Sequence, residues 1–272
     1  MKTPRLMNKP IGIAGLGWLG KSLALKLSTL GYQVKGTVTS HEKATEFQKK
    51  GVNAFPMEVS ESGITGEPEG FLKNLDTVII MIPPGLRRNT GADYVMKMTH
   101  LLQAIEKAKI PTGIFISSTS VYGDAQGTVD ESYLPKPENE AGRQLLQVEQ
   151  LFFTSSCNTS IVRFGGLVGG SRQPVRYLAG RKDLSGGNAP VNLIHRTDCI
   201  GILTEILKQQ AFGHIFNAVY PKHPLKKDYY TKKAELQQLE PPTFSADSET
   251  QHKKVTSTNV AKVLKYAFQT EI

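Results

Sequence analysis

The sequence predicts an α/β protein built on a doubly wound parallel sheet, and three observations carry the prediction. Ile11 to Gly20, I-G-I-A-G-L-G-W-L-G, passes from a short apolar run through G-x-G-x-x-G into an amphipathic helix pattern. Strand-length apolar runs and helix-spaced patterns then alternate as far as Ser117, the order that winds a parallel sheet with helices on its faces. Asp76 to Pro83, D-T-V-I-I-M-I-P, is an apolar run flanked by turn signals, as expected of a strand buried on both faces.

Each element follows from a local signal. Ile11 to Ala14 is the first strand, and Gly15, Gly17 and Gly20 carry the glycine pattern. The pattern alone is weak in a chain with 25 glycines; its place between a strand and a helix is what points to a dinucleotide. Gly15 permits a tight turn, Gly17 a close approach of backbone to a pyrophosphate, and Gly20 the packing of helix on strand. The free N–H groups and positive end of the helix dipole then face the phosphates, which makes Gly15, Gly17, Trp18, Leu19 and Gly20 candidate cofactor contacts. Leu19, Leu23, Leu27 and Leu30 mark the apolar face of that helix, which stops at Gly31.

The second strand, Gln33 to Thr39, bears on cofactor choice. A carboxylate about 20 residues beyond the glycines normally binds the adenosine ribose of NAD. Here Thr37, Val38, Thr39 and Ser40 precede His41 and Lys43, with no carboxylate before Glu42. Hydroxyls beside a cation suit a 2′-phosphate, so Thr39, Ser40 and Lys43 are candidate contacts for NADP in preference to NAD. Ser40 can equally cap the following helix.

A helix over His41 to Lys50 ends at Gly51, and Val52 to Met57 is the third strand. Glu61 to Leu75, with several glycines and Pro68, reads as a loop with a short helix. After the buried strand, Pro83-Pro84-Gly85 turns where the chain should pass the cofactor, giving Ile82 and Pro83 as candidates. A helix over Ala92 to Lys109 presents Val95, Met98, Leu102 and Ile105. The strand Gly113 to Ser117 runs into S-S-T-S-V-Y-G-D, placing Ser117, Ser118 and Thr119 where ligands bind in such sheets. Later elements are a helix over Gly142 to Phe153, a strand over Thr159 to Phe164, a helix over Asp198 to Gln209 and a strand over His214 to Val219. Loops between them lengthen and grow richer in Pro and Gly.

Composition narrows the classes. At 272 residues the chain forms one large domain or two small ones, and 39% hydrophobic with 21% charged residues is ordinary for a soluble globular protein. Cys157 and Cys199 match no metal or disulfide spacing, which suggests a reducing compartment. Lys2, Arg5 and Lys9 ahead of an apolar run resemble a signal peptide, but glycines break the run, and Lys21 and Lys26 interrupt the residues after it. No apolar stretch approaches a membrane span, and a cytoplasmic protein is expected. The net charge of +9 comes from scattered pairs such as Lys49-Lys50, Lys226-Lys227, Lys232-Lys233 and Lys253-Lys254. Without a nucleic-acid-binding signature beside them, they read as a solvated basic surface attractive to phosphate-bearing ligands.

Taken together, G-L-G-W-L-G, S-S-T-S-V-Y-G, V-R-F-G-G-L-V-G-G at Val162 to Gly170 and V-N-L-I-H-R-T-D at Val191 to Asp198 give a more specific signal. In this order they resemble the extended short-chain dehydrogenase/reductase superfamily, of NAD-dependent epimerase/dehydratase type, almost end to end. The resemblance implies a Rossmann-type domain over residues 1–165, also receiving parts of 191–220, and a smaller C-terminal lobe over 166–272 covering a substrate cleft. It also implies that Ser118 binds the oxygen being oxidised or reduced. Ser118, Thr119, Arg163 and Gly165 are then substrate-binding candidates, and Ser118 and Tyr122 the catalytic candidates. For Tyr122, packing beneath the loop is the preferred reading.

The departures from the family matter more. Its catalytic Tyr-x-x-x-Lys pair falls on Ala141 and Leu145, and no tyrosine lies between Tyr133 and Tyr177. Ala14 also stands at the family's usual first glycine. Both features are similar to atypical members that keep the fold and cofactor site. Arg143 and Gln144 cannot replace a titrating tyrosine. Tyr133 and Lys136 lie upstream on a loop, His195 is expected to be structural, and Asp198 to cap its helix. The expectation is therefore an oxidoreductase or epimerase using NADP or NAD on a small polar or sugar-like substrate, with non-standard acid/base chemistry. The alternative is a non-catalytic NADP sensor or scaffold. A small molecule and a second copy of the chain are the partners expected, with no nucleic acid, membrane or metal.

Overall fold

A computed structural model describes residues 10–85, 93–245 and 252–272. Lys2, Arg5, Lys9 and the Ala92 expected to open a helix lie outside them. The first elements are β1 (Ile11–Ala14), α1 (Trp18–Thr29), β2 (Val34–Val38), α2 (His41–Lys49), β3 (Asn53–Ser60), β4 (Gly63–Gly66), α3 (Pro68–Leu72) and β5 (Thr77–Ile80). Next come α4 (Tyr94–Lys107), β6 (Thr112–Ser118), β7 (Thr128–Val129), α5 (Glu140–Phe153), β8 (Asn158–Phe164), β9 (Gly166–Val168) and α6 (Val175–Leu178). The chain continues through β10 (Leu193–His195), α7 (Arg196–Gln209), β11 (Ile215–Ala218), α8 (Lys226–Leu236), β12 (Lys254–Val255) and α9 (Thr258–Lys262).

The main sheet has the order β11-β8-β6-β5-β1-β2-β3-β4. Parallel pairing joins β1 to β2 and β5, β2 to β3, and β5 to β6. All four residues of β1 and of β5 are buried, which accounts for the unbroken apolar runs seen in the sequence. The chain winds outward from β1 through β2 and β3, then returns on the other side of β1 as β5. That reversal leaves a topological switch point beside β1, where open α/β sheets bind ligands at the carboxyl ends of their strands. The glycine turn begins there.

One segment departs from the sequence reading. Residues 61–75 are not simply a loop with a helix, because β4 folds back antiparallel on β3, from Met57↔Gly66 to Ser60↔Gly63. The pairing prolongs β3 to Ser60. It depends on backbone that only glycine adopts readily, at Gly63 (φ +128) and Gly66 (φ +90).

Contacts divide the chain into two compact units. The first holds residues 1–118, 139–162 and 203–215, and the second 119–138, 163–202 and 216–272. Thus 119–138, which the sequence reading groups with the nucleotide half, belongs to the second unit. In the first, α4 buries Tyr94, Met98, Leu101, Leu102 and Ile105, and Phe115 stacks on Phe152 with centroids 5.1 Å apart. In the second, Val168, Val175, Val191, Leu193, Tyr230 and Ala234 form a core cluster. Among the described residues no helix is long and apolar enough to cross a membrane, and no His/Cys/Asp/Glu group could hold a metal ion.

Candidate functional site

The three glycines play three different parts. Gly15 has φ +113, and a side chain there would press on the Met81 carbonyl, 3.3 Å away. Its role is conformational. Gly20 lies inside the first turn of α1, where a methyl group would overlap Gly15 O and reach Ile13 Cγ2 at 3.4 Å. It lets the helix sit against the strand. Gly17 is different: it is exposed, and a methyl group there would meet no protein atom within 4 Å.

Gly17 is also the N-cap of α1, with no side-chain cap and no acidic residue in the first turn. The first helical bond from that end is Lys21 N–H to Gly17 O at 3.0 Å. A 12-residue helix with an uncapped N-terminus, opening beside a glycine with space above it, fits a pyrophosphate. The residues present therefore suit a dinucleotide, with Gly17, Trp18 and Leu19 as the group that would hold its phosphates. Trp18 is half-buried, while Leu19 and Gly20 are buried.

Thr37, at the carboxyl end of β2, escaped the sequence reading as a site residue. Its hydroxyl accepts the Gly15 N–H at 3.0 Å and its carbonyl the Leu16 N–H at 2.8 Å. The available signal was a polar residue in a buried strand, 22 positions after Gly15. Beyond it Thr39 is exposed, with Lys43 Nζ 3.5 Å from its hydroxyl. Ser40 caps α2 by accepting the Lys43 N–H at 3.4 Å, as the simpler reading of that residue anticipated.

On the other side of β1, Met81 N–H donates to Ala14 O at 2.9 Å, which brings the end of β5 against the glycine turn. The Ile82 carbonyl accepts the Tyr94 hydroxyl at 2.8 Å, and Pro83 is exposed. Burial pushes the Tyr94 hydroxyl far above its ordinary range, so it acts as a fixed donor. Gln144 Oε1 accepts the Tyr94 N–H at 2.9 Å. Gln144 thus serves the start of α4.

The end of β6 carries a second unforeseen partner. Ser117 is buried and donates to Glu149 on α5, itself only 3% exposed. Ala141, Leu145 and Glu149 fall on one stripe of α5 at four-residue spacing. Leu145 is buried and Ala141 half-buried. The stripe therefore offers a methyl, an isobutyl and a buried carboxylate, and neither of the first two transfers a proton. Glu149 was detectable as a lone acid among Leu145, Val148 and Phe152. Ser118 closes β6 and is half-buried.

Four of the candidates, Thr119, Tyr122, Arg163 and Gly165, belong to the second unit. Tyr122 is fully buried, in keeping with packing beneath the loop. That hydroxyl accepts from Arg163 Nη1 at 2.7 Å and donates to Asp130 O at 3.0 Å. Burial raises its pKa against the opposing pull of Arg163. Arg163 is only 2% exposed, its guanidinium 5.1 Å from the Tyr122 ring centroid, so it holds this loop from inside. Gly165 is buried where a methyl group would crowd Asn192 O at 2.7 Å, making it a packing glycine. Thr119 is buried in a 3₁₀ turn.

Asp198 lies in the first turn of α7, yet its partners are elsewhere. Its carboxylate accepts the Tyr266 hydroxyl at 2.8 Å and the Gln269 and Thr270 N–H groups at 2.6 and 3.2 Å. It anchors the C-terminal segment rather than capping its helix. His195 accepts the Thr197 N–H at 3.2 Å, and its other ring face lies against Gly169. This agrees with a structural role. Exposed Tyr133 and Lys136 belong to the second unit.

Residues 10–131 match the family model of the NAD binding domain of 6-phosphogluconate dehydrogenase. The fold resembles UDP-glucuronic acid 4-epimerase from Bacillus cereus, solved with UDP-glucuronic acid and NAD, at TM-score 0.78 and 20% identity over 96% of this chain and 95% of that one. It likewise resembles a short-chain dehydrogenase/reductase superfamily protein from Agrobacterium tumefaciens with bound NAD, at TM-score 0.75 and 17% identity over 96% and 93%. At these identities the likeness establishes the fold, an NAD-binding-type Rossmann architecture. Protein YeeZ of Escherichia coli strain K12 is 37% identical over 240 residues, 87% of this chain and 86% of YeeZ. The chain belongs to the YeeZ family.

Proposed function

We propose that this protein binds NADP at the glycine turn and transfers hydride to or from a small polar or sugar-like substrate, as an oxidoreductase or epimerase. One observation carries the reading: an open, uncapped α1 N-terminus at the switch point of the sheet. Exposed Thr39 and its neighbour Lys43, with no carboxylate ahead of Glu42, favour a 2′-phosphate. When bound, the nicotinamide supplies or accepts the hydride. Ser118 orients the reacting oxygen from the end of β6. Proton transfer falls to water or to a residue other than Ala141 and Leu145. General acid catalysis is worth roughly 10²–10⁴-fold, so turnover is expected to be slow.

A second reading has one specific observation in its favour. With Ala141 and Leu145 at the usual catalytic positions, the protein would be an NADP sensor acting on a partner without chemistry. Incubation with NADPH or NADP⁺ and a panel of carbonyl compounds and sugar nucleotides separates the two. The enzyme reading expects slow product formation that falls in Ser118→Ala while nucleotide affinity is kept. Tight nucleotide binding with no turnover across that panel would sink it in favour of the sensor.

A further inference from the structure

Gly15 and Leu16 are seated on a two-residue socket made by Gly36 and Thr37. A methyl group on Gly36 would strike Leu16 Cγ at 2.5 Å, so the absence of a side chain at 36 makes room for the Leu16 side chain. Next to it, Thr37 is 2% exposed and engages two successive N–H groups, Gly15 with its hydroxyl at 3.0 Å and Leu16 with its carbonyl at 2.8 Å. The registers of β1 with β2, Ile13↔Gly36, and of β1 with β5, Ala14↔Ile80, bring the turn between these partners. Gly15 is held at φ +113, with the Met81 carbonyl on its other side.

We infer that Thr37 is the positioning residue of the dinucleotide turn. It draws the Gly15 and Leu16 N–H groups inward, so that the anion-facing part of the turn begins at Gly17. This rests on the proposed nucleotide site, but the clamp itself is a property of the nucleotide-free chain. The side chain must be short, uncharged in a buried place, and able to accept a hydrogen bond. Threonine meets all three conditions, and its β-branch restricts χ1 so that the hydroxyl stays aimed. Valine keeps the shape and loses the acceptor, leaving the part-buried Gly15 N–H without it. Serine keeps the acceptor.

The test combines binding with amide exchange. In wild type without nucleotide, the Gly15 and Leu16 amides should exchange slowly and the Gly17 amide fast, and NADPH should slow Gly17 while leaving Gly15 and Leu16 as they are. In Thr37→Val the Gly15 amide should lose its protection, and NADPH affinity measured well below the melting temperature should fall about 10-fold. Thr37→Ser should restore both to within about 2-fold of wild type. A merely structural role would lower the melting temperature of Thr37→Val and leave affinity unchanged. That outcome, or Gly15 exchanging as fast as Gly17 in wild type, overturns the inference. Failure of wild type to bind either nucleotide overturns the proposed function instead, while Gly15 exchange in Thr37→Val still judges the clamp.

Discussion

Gly17→Val and Gly20→Ala, three residues apart, should fail in opposite ways. Gly17 sits at φ −75 and ψ −157, an extended conformation open to any residue, and a methyl group there has no neighbour within 4 Å. The fold loses only a tolerable N-cap, about 1 kcal/mol, or roughly 2–4 °C in Tm for a chain of this size. The valine side chain instead fills the space above the α1 N-terminus. NADPH affinity should drop at least about 100-fold, close to 2.7 kcal/mol. At Gly20 the obstacle is backbone: Gly15 O lies well inside the 3.0 Å limit for a Cβ, and Gly15 C at 3.1 Å. Neither can rotate aside, so α1 must move off the strand. Overpacking of this kind costs about 1–3 kcal/mol, and the upper end applies here. Alanine's helix propensity returns somewhat under 1 kcal/mol. The net loss is roughly 2–3 kcal/mol, or about 4–12 °C. Thermal melts without nucleotide and fluorescence titrations with NADPH measure the two effects separately. Gly17→Val binding within a few-fold of wild type, or Gly20→Ala melting at the wild-type temperature, would refute the division of roles.

The second unit supplies three further expected outcomes. Tyr122→Phe removes the acceptor of the buried Arg163 Nη1 and should cost about 1–3 kcal/mol in chemical unfolding with nucleotide affinity unchanged; a loss of turnover without loss of stability would reinstate a catalytic tyrosine. Asp198→Asn sets an amide against one of the N–H groups that the carboxylate accepts, from Gln269 and Thr270, and should destabilise by roughly 2–4 kcal/mol, seen as early proteolysis of the C-terminal segment; wild-type resistance would contradict the anchoring role. Burial holds the pKa of His195 and His223 below the ordinary 6.5. The unfolded chain therefore binds these protons at higher pH than the folded one, so their contribution is complete above 6.5 and is lost as pH falls through the folded values. Melts from about pH 8 to about pH 5.5 should fall more steeply for wild type than for His195→Gln/His223→Gln, and parallel curves would exclude these residues.

What could be read from the sequence tracks how local the physics is. β1 is bounded by its own residues, Ile11 to Ala14, and the sequence places it to the residue. The buried β5 and the apolar faces of α1 and α4 are equally local signals. The antiparallel β4 was hidden because two glycines and a polar stretch carry no period, and its pairing exists only against β3. Thr37 and Glu149 were missed for a related reason: each is defined by a partner 22 or 32 residues away. Tyr122 and Arg163 show the converse case. A family pattern marks their positions, but burial decides their role, and that depends on residues as distant as Asn217. That Ala141 and Leu145 cannot transfer a proton is legible because residue type alone excludes it.

Titration of wild-type protein with NADPH and, separately, NADH is the most direct measurement of whether the glycine turn holds a nicotinamide dinucleotide. Saturable binding of one nucleotide per chain, tighter for NADPH, is the predicted result. Equal affinities would remove the 2′-phosphate preference assigned to Thr39 and Lys43. No saturable binding of either would contradict the site itself.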